Sequence, residues 1–214
     1  MSPRLPPRIL ALSPGTLVRA DGEAFLARLR AAVEAGLQGL LVREPGLLDR
    51  DQLWLLERAR EILARGWLGV HDRAHLALPV GCDGLHLGFR SLAPPFARQV
   101  AGDDVALGFS AHAHDAPGAR AGADYLFLGP LHDTPSKREL VPALGLEALA
   151  REIERESLPV WAIGGIGPEH VVSALSCGAS GVAVLRGILA ARDPAAATRR
   201  YLAALPARDG GDAR

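Results

Sequence analysis

The stretch Ala121-Gly122-Ala123-Asp124-Tyr125-Leu126-Phe127-Leu128 carries the pattern that decides the fold of this chain: a glycine after a helical segment, followed at once by a short apolar run. Glycine suits the end of a helix because the left-handed backbone conformation found there excludes most side chains. The apolar run predicts a strand buried on both faces, which is typical of a parallel sheet covered by helices. The same pattern occurs at residues 35–42, 80–87 and 177–184.

Four further strands are predicted, one ahead of each of these runs, over residues 8–13, 68–72, 105–110 and 159–164. Segments with apolar residues at three- and four-residue spacing separate most of the strands. Eight βα units in succession predict an α/β fold, the (β/α)8 TIM barrel. An open, doubly wound sheet is the alternative, although the first strand–helix junction, Ser13-Pro14-Gly15-Thr16, lacks the glycine pattern of a dinucleotide site.

The composition limits the class of protein. The chain has 214 residues, and its 24 basic and 24 acidic side chains cancel, which argues against nucleic acid as a partner. No apolar segment approaches the roughly 20 residues of a membrane span, and the start of the chain does not resemble a secretory signal. We expect a cytoplasmic protein in which Cys82 and Cys177 are separate buried thiols. Residues 1–205 are predicted to form a single barrel and residues 206–214 a disordered tail.

Polar residues collect where the predicted strands end, which is the end of a barrel that carries its chemistry. Gly164 and Gly165 follow the seventh strand, and Arg186 and Gly187 follow the eighth. Glycine amides, a helix N-terminus and a guanidinium group in these two loops predict a phosphate site. The alternative is that the glycines only permit a tight turn.

The loop after the sixth strand contains Thr134, Ser136 and Lys137, whose hydroxyl and ammonium donors suit a phosphate or pyrophosphate ligand. A solvated surface loop is the alternative. At the end of the fifth strand, Ser110 is a candidate substrate contact, and His112 is a candidate acid or base because an imidazole titrates near neutral pH. His86 lies within a strand and is predicted to be a hydrogen-bonded core residue.

From Ile9 to Leu205 the chain resembles the thiamine phosphate synthase / TenI family, whose fold is a (β/α)8 barrel. The matching stretches occur in the family's order along the eight strands: 42–44, 71–73, 83–88, 108–112, 122–130, 134–137, 162–166 and 178–184. The resemblance implies a thiazole phosphate held at Gly164, Gly165 and the Arg186-Gly187 turn. It also implies one of two reactions: magnesium-dependent synthesis from a pyrimidine pyrophosphate, or metal-free tautomerisation of a carboxythiazole phosphate.

The departures from the family pattern favour the tautomerase. Synthases usually have Gln-Leu-Arg-Glu-Lys at the second strand, where this chain keeps Arg43 but has Leu41 and Pro45 at the Gln and Lys positions. Asp72 matches one magnesium carboxylate of the synthases, whereas the second is missing from Phe89-Arg90-Ser91. Losing these groups should impair the departure of pyrophosphate, because that step depends on neutralising developing charge.

Three hypotheses follow. The first is a TenI-like tautomerase without a cofactor, in which His112 transfers the proton and Arg43 holds the substrate carboxylate. The second is a divergent thiamine phosphate synthase with magnesium on Asp72 and pyrophosphate on Arg43, Thr134, Ser136 and Lys137. The third is a non-catalytic protein that binds thiazole or thiamine phosphates. In each case the partner is a small phosphorylated molecule, with neither nucleic acid nor membrane; a homodimer is compatible with such a barrel, but no interface is visible in the residues.

Overall fold

Eight parallel strands close into a barrel in this computed structural model, which describes residues 3–111, 117–133 and 142–207. Each strand pairs with its neighbours in sequence order, and β1 pairs with β8, with Ala11 beside Val184. The predicted (β/α)8 barrel is therefore confirmed, and the open sheet is excluded. The strands are β1 Ile9–Leu12, β2 Gly39–Val42, β3 Trp67–His71, β4 Gly84–Leu87, β5 Ala106–Ala111, β6 Tyr125–Leu128, β7 Val160–Ile163 and β8 Gly181–Val184.

Helices cover the outside of the barrel among the described residues. They are α1 Gly22–Glu34, α2 Asp49–Leu63, α3 Ala74–Val80, α4 Pro94–Ala101, α5 Gly145–Arg155, α6 Val171–Ser176 and α7 Pro194–Ala203. Short 3-10 turns occupy Arg19–Asp21, Pro117–Arg120 and Pro168–His170. None of the described helices is long and apolar enough to cross a membrane.

Two elements differ from the sequence prediction. Helix α3 was not predicted, because it is short and carries Pro79 in its last turn, where a proline normally indicates the end of a helix. The short helix predicted near residues 116–121 is a 3-10 turn over Pro117–Arg120. Of the tail predicted over residues 206–214, residues 208–214 lie outside the described part of the chain.

Large aromatic side chains fill the barrel interior near the amino-terminal ends of the strands. Trp67, Tyr125 and Trp161 pack there, and the two indole N–H groups donate to the Arg4 and Pro7 carbonyls at 2.9 Å. The N-terminal segment thus closes the barrel at the amino-terminal ends of its strands. These rings need glycine on neighbouring strands, since a methyl group on Gly84 would overlap Trp67.

The two cysteines are free, as predicted. Cys82 is buried, and burial raises the pKa of its thiol to about 12, so that it remains protonated at physiological pH. Cys177 was predicted to be buried but is only half-buried, and its Sγ lies 3.6 Å from the Leu146 carbonyl oxygen.

Candidate active site at the barrel mouth

The carboxyl ends of the strands form one rim, here called the mouth. Parallel pairing brings the predicted residues of five strands to this rim, although they are far apart in sequence. The described members are Arg43, Asp72, Ser110, Gly164, Gly165, Arg186 and Gly187. His112, Thr134, Ser136 and Lys137 lie outside the described residues.

A chain of polar side chains lies beneath the mouth, inside the barrel. His86 is fully buried on β4; its Nε2 lies 2.9 Å from the Ser110 hydroxyl and its Nδ1 lies 3.4 Å from the Tyr125 hydroxyl. Its ring stacks against Phe127, with centroids 3.9 Å apart. Burial lowers the pKa of His86 well below its usual value, so the imidazole is neutral. The prediction that His86 is a hydrogen-bonded core residue is confirmed.

His71 links this buried chain to the mouth. It ends β3, and its ring centroid lies 5.9 Å from that of His86. Burial lowers the pKa of His71 to about 4, and the positive charge of nearby Arg43 contributes in the same direction. At neutral pH the inner wall of the mouth therefore carries two neutral imidazoles beside the Arg43 guanidinium.

Two buried polar side chains hold the backbone around Arg43. The Ser13 hydroxyl accepts a hydrogen bond from the Arg43 amide at 2.8 Å. The Glu44 carboxylate, only 2% exposed, accepts bonds of 2.8 Å from the amides of Gly15 and Leu17. Gly15 has a φ of +84°, and a Cβ there would lie 3.0 Å from Nη1 of Arg43. Glu44 therefore joins the loop after β1 to the end of β2, while the exposed Arg43 side chain lies over that loop.

The Gly164-Gly165 turn is packed tightly against the loop after β6. Both glycines have positive φ, +95° and +68°, a conformation that side chains disfavour. His132 donates its amide to the Gly164 carbonyl at 3.0 Å, and a Cβ on Gly165 would lie 2.7 Å from that of His132. These glycines thus permit a tight turn, as the alternative held. The same turn leaves the Gly165 amide without a partner among the described residues, so it remains available to an anion.

The turn after β8 is also packed tightly, and it also has a backbone amide without a partner among the described residues. Gly187 packs so closely on the buried Tyr201 that a methyl group would overlap the phenol, which in turn donates to the Ile166 carbonyl at 2.8 Å. Within the described chain the Gly187 amide has no hydrogen-bond partner, and the exposed Arg186 side chain forms no ion pair. Tyr201 therefore joins the two turns that the sequence predicts to bind phosphate.

Asp72 supplies a carboxylate at the mouth, directly after β3. It is exposed, has a φ of +70°, and its side chain has no hydrogen-bond partner among the described residues. In the loop after β4, Ser91 accepts the Gly88 amide at 2.8 Å, and the Arg90 guanidinium lies 5.2 Å from the Phe89 ring centroid. No cluster of three potential metal ligands occurs in the described residues. One carboxylate together with water and a ligand's phosphates is a donor set that magnesium accepts.

His170 lies at the mouth although the sequence predicts it to be a surface or packing residue. His132 and His170 stack with ring centroids 4.1 Å apart beside Gly165, and burial lowers the pKa of His132. His170 accepts the Gly167 amide at 3.1 Å. The sequence separates these histidines by more than 30 residues, and only the packing of the β6 and β7 loops brings them together.

Comparisons with known proteins agree with the resemblance drawn from the sequence. The profile of the family described as thiamine monophosphate synthase, TMP-TENI, matches residues 14–188. A thiamine-phosphate synthase of Anaeromyxobacter dehalogenans is 39% identical over 199 residues, which cover 90% of this chain and 88% of that protein. The bifunctional thiamine biosynthesis protein ThiM/ThiE of Symbiobacterium thermophilum is 42% identical over 81% of this chain, but the match spans only 37% of that longer protein.

A solved structure has the same architecture. The thiamine phosphate pyrophosphorylase of Pyrococcus furiosus superposes with a TM-score of 0.79 and 25% sequence identity, covering 92% of this chain and 94% of that one. The similarity therefore extends over nearly the whole barrel.

Proposed function

The chain belongs to the thiamine monophosphate synthase family, and we propose that it is a thiamine-phosphate synthase, joining a pyrimidine pyrophosphate to a thiazole phosphate with release of pyrophosphate. The observation that carries the proposal is the 39% identity to the Anaeromyxobacter synthase over nine-tenths of the chain. The departures at the second strand and after the fourth strand favoured the tautomerase when the sequence was considered alone. The similar proteins are a thiamine-phosphate synthase and a thiamine phosphate pyrophosphorylase, and this similarity favours the synthase instead.

The phosphate of the thiazole is assigned to the turns after β7 and β8. The amides of Gly165 and Gly187, which have no partner among the described residues, supply two directed donors, and the exposed Arg186 guanidinium supplies charge and further donors. Gly164 shapes the first turn. Because Tyr201 links the two turns, their amides are held before the ligand arrives, which lowers the entropic cost of binding.

The pyrophosphate is assigned to the residues at the ends of β2 and β5 and to the loop after β6. Arg43 is the cation there, on a backbone held by Ser13 and Glu44, and the neutral His71 and His86 do not compete with it for the anion. Ser110 is fixed by His86 and offers its hydroxyl at the same rim. From the sequence pattern, Thr134, Ser136 and Lys137 are assigned to the same group.

Magnesium, when bound, would neutralise charge on the departing pyrophosphate, and Asp72 is the residue that would hold it. Asp72 has a φ of +70° and is exposed at the rim, and its carboxylate has no partner among the described residues. Asparagine tolerates the same conformation, so Asp72→Asn removes the charge without disturbing the backbone.

A tautomerase is the second candidate, favoured by a specific observation. The Gln and Lys positions of the synthase pattern hold Leu41, buried in the barrel interior, and Pro45. The stretch Phe89-Arg90-Ser91 lacks the second carboxylate, and its Ser91 accepts a hydrogen bond from the Gly88 amide. Proton transfer needs only an anchored phosphate and one acid–base group, for which His112 is the candidate.

Paired turnover assays on the purified chain test the proposal. One reaction contains pyrimidine pyrophosphate, thiazole phosphate and magnesium, and pyrophosphate release is measured. The other contains carboxythiazole phosphate and a chelator, and formation of the aromatic ring is measured. The synthase predicts magnesium-dependent turnover in the first reaction alone. Asp72→Asn should lower that rate at least ~100-fold, the effect of removing a charge-stabilising group from an active site.

The matched control is Asp103→Asn, which removes an exposed carboxylate at the opposite end of the barrel and should leave the rate unchanged. Turnover in the second reaction alone would overturn the synthase in favour of the tautomerase, and His112→Ala should then abolish it while thiazole phosphate still binds. Binding of thiazole phosphate with no turnover in either reaction would indicate the non-catalytic protein.

A further inference from the structure

A cavity of about 300 Å³ opens at the amino-terminal end of the barrel, on the side opposite to the mouth. It is lined by the N-terminal segment, by residues at the starts of β1, β2 and β3, and by the end of helix α7. Pockets that hold small molecules begin at about this volume. The candidate active site makes no use of this cavity, because its described residues lie at the carboxyl ends of the strands.

Much of the cavity lining is apolar. Leu202 and Leu205 contribute from the end of α7, and Leu5, 38% exposed, contributes from the N-terminal segment. The buried Trp67 at the start of β3 also lines the cavity. Covering such surface with the apolar part of a ligand removes it from water, which favours binding.

Two arginines bring positive charge to this lining. Arg8 is half-buried, and its guanidinium has no hydrogen bond or ion pair within the described chain. Arg4 lies 3.4 Å from one oxygen of Asp83, and the other oxygen of that carboxylate accepts the Arg60 guanidinium at 3.1 Å. No acidic side chain is among the described residues that line the cavity. The cavity therefore holds one guanidinium that lacks a counter-ion in this part of the chain.

The backbone that carries the polar lining is fixed by the barrel. The Arg8 carbonyl accepts the Val182 amide at 2.8 Å, and the Gln38 carbonyl accepts the Trp67 amide at 2.7 Å. Arg8 directly precedes β1 and Gln38 directly precedes β2, and these two strands pair in parallel. The two side chains thus start from neighbouring, ordered positions, and a site ordered in advance loses less entropy when a ligand binds.

We propose that this cavity binds a small organic carboxylate, with the carboxylate on Arg8 and an apolar body against Leu202 and Leu205. A guanidinium binds a carboxylate through two parallel N–H···O bonds, and one unpaired guanidinium matches the single charge of that group. The exposed Gln38 amide offers a further donor. The described lining contains no nucleophile and no side chain that titrates near neutral pH, so the site binds a ligand without transforming it.

Calorimetric titration of the full chain with naphthoate tests the proposal, with naphthamide as the ligand that has the same rings and no charge. We expect naphthoate to bind with a Kd of about 1 mM or tighter, and naphthamide at least ~10-fold more weakly. Arg8→Gln should weaken naphthoate binding at least ~10-fold, the loss expected when a hydrogen bond to a charged group is removed. The same variant should leave naphthamide binding unchanged. Arg65→Gln is the matched control, because Arg65 is exposed at the same end of the barrel but does not line the cavity.

Filling the cavity gives a second, independent readout. Gln38→Trp places a large ring at an exposed lining position and should abolish the binding of both ligands. Circular dichroism establishes that each variant is folded. Saturating thiazole phosphate, which the proposed function assigns to the mouth, should leave naphthoate binding unchanged. Neither variant touches the mouth, so their effects do not depend on which reaction occurs there.

Three results would overturn the proposal. Competition between thiazole phosphate and naphthoate would place naphthoate at the mouth. An affinity that neither Arg8→Gln nor Gln38→Trp lowers would place it elsewhere on the surface. Absence of binding up to about 10 mM naphthoate would show that the unpaired guanidinium and the apolar lining do not form a site.

Discussion

Glu44 allows the sharpest test of how the mouth is held together. Its carboxylate is 2% exposed and accepts two backbone hydrogen bonds of 2.8 Å, from Gly15 and Leu17. A hydrogen bond to a charged group contributes roughly 1.5–3 kcal/mol to stability. Replacing Glu44 with Gln keeps one carbonyl oxygen but turns an NH2 group towards the second amide, so one bond is lost.

The expected cost of Glu44→Gln is therefore about 2 kcal/mol in the free energy of unfolding, and that of Glu44→Ala about 4 kcal/mol, because both amides then lose their acceptor. These are large fractions of the total stability of a domain, about 5–15 kcal/mol. Urea unfolding followed by tryptophan fluorescence measures both values, and an unchanged slope m shows that the folded state keeps its compactness.

Glu57→Gln is the control, since Glu57 is exposed on α2. It should change stability by less than about 0.5 kcal/mol. If both Glu44 variants also stayed within that range, water would accept the hydrogen bonds of the two amides as well as the Glu44 carboxylate does. The inference that Glu44 holds the loop beneath Arg43 would then be wrong.

Three further predictions concern the barrel interior and the phosphate turns. Burial lowers the pKa of His71 to about 4 in the folded protein, so the unfolded chain takes up this proton first as the pH falls below about 6.5. Wild type should lose about 2 kcal/mol more stability between about pH 7 and pH 5 than His71→Asn, as measured by urea unfolding in chelator. Gly108→Ala should destabilise by about 3 kcal/mol or prevent folding, because its methyl group would overlap Tyr125; thermal unfolding measures this. Gly187→Ala should displace Tyr201 and weaken phosphate-ligand binding about tenfold in calorimetry; unaltered binding would separate this turn from the ligand.

The fold could be predicted from the sequence because its determinants are local. A glycine that ends a helix and an apolar run that follows it act within a few residues, and a repeat of that unit permits few architectures. Helix α3 was missed for a local reason too, since the rule that proline ends a helix is weaker in the last turn.

The candidate site could be predicted only in outline. Parallel strands bring their carboxyl ends to one rim, so the polar residues at predicted strand ends indicated the mouth without any knowledge of register. Gly187 was correctly placed at that rim, but its contact with Tyr201 depends on how α7 packs, which no periodicity reveals. Glu44, adjacent to Arg43, had no sequence signal to distinguish a ligand contact from a buried acceptor of backbone amides.

The sequence by itself determined the barrel, the order of its strands and the end that carries the polar residues, because these follow from periodicity and from the geometry of parallel strands. Tertiary structure decided which of those residues are free and which are engaged. His86 and Tyr125 are 39 residues apart and meet inside the barrel because β4, β5 and β6 pair in one register, beside Gly108. Burial there keeps the imidazole neutral, and burial is a property of the closed barrel that no single strand possesses.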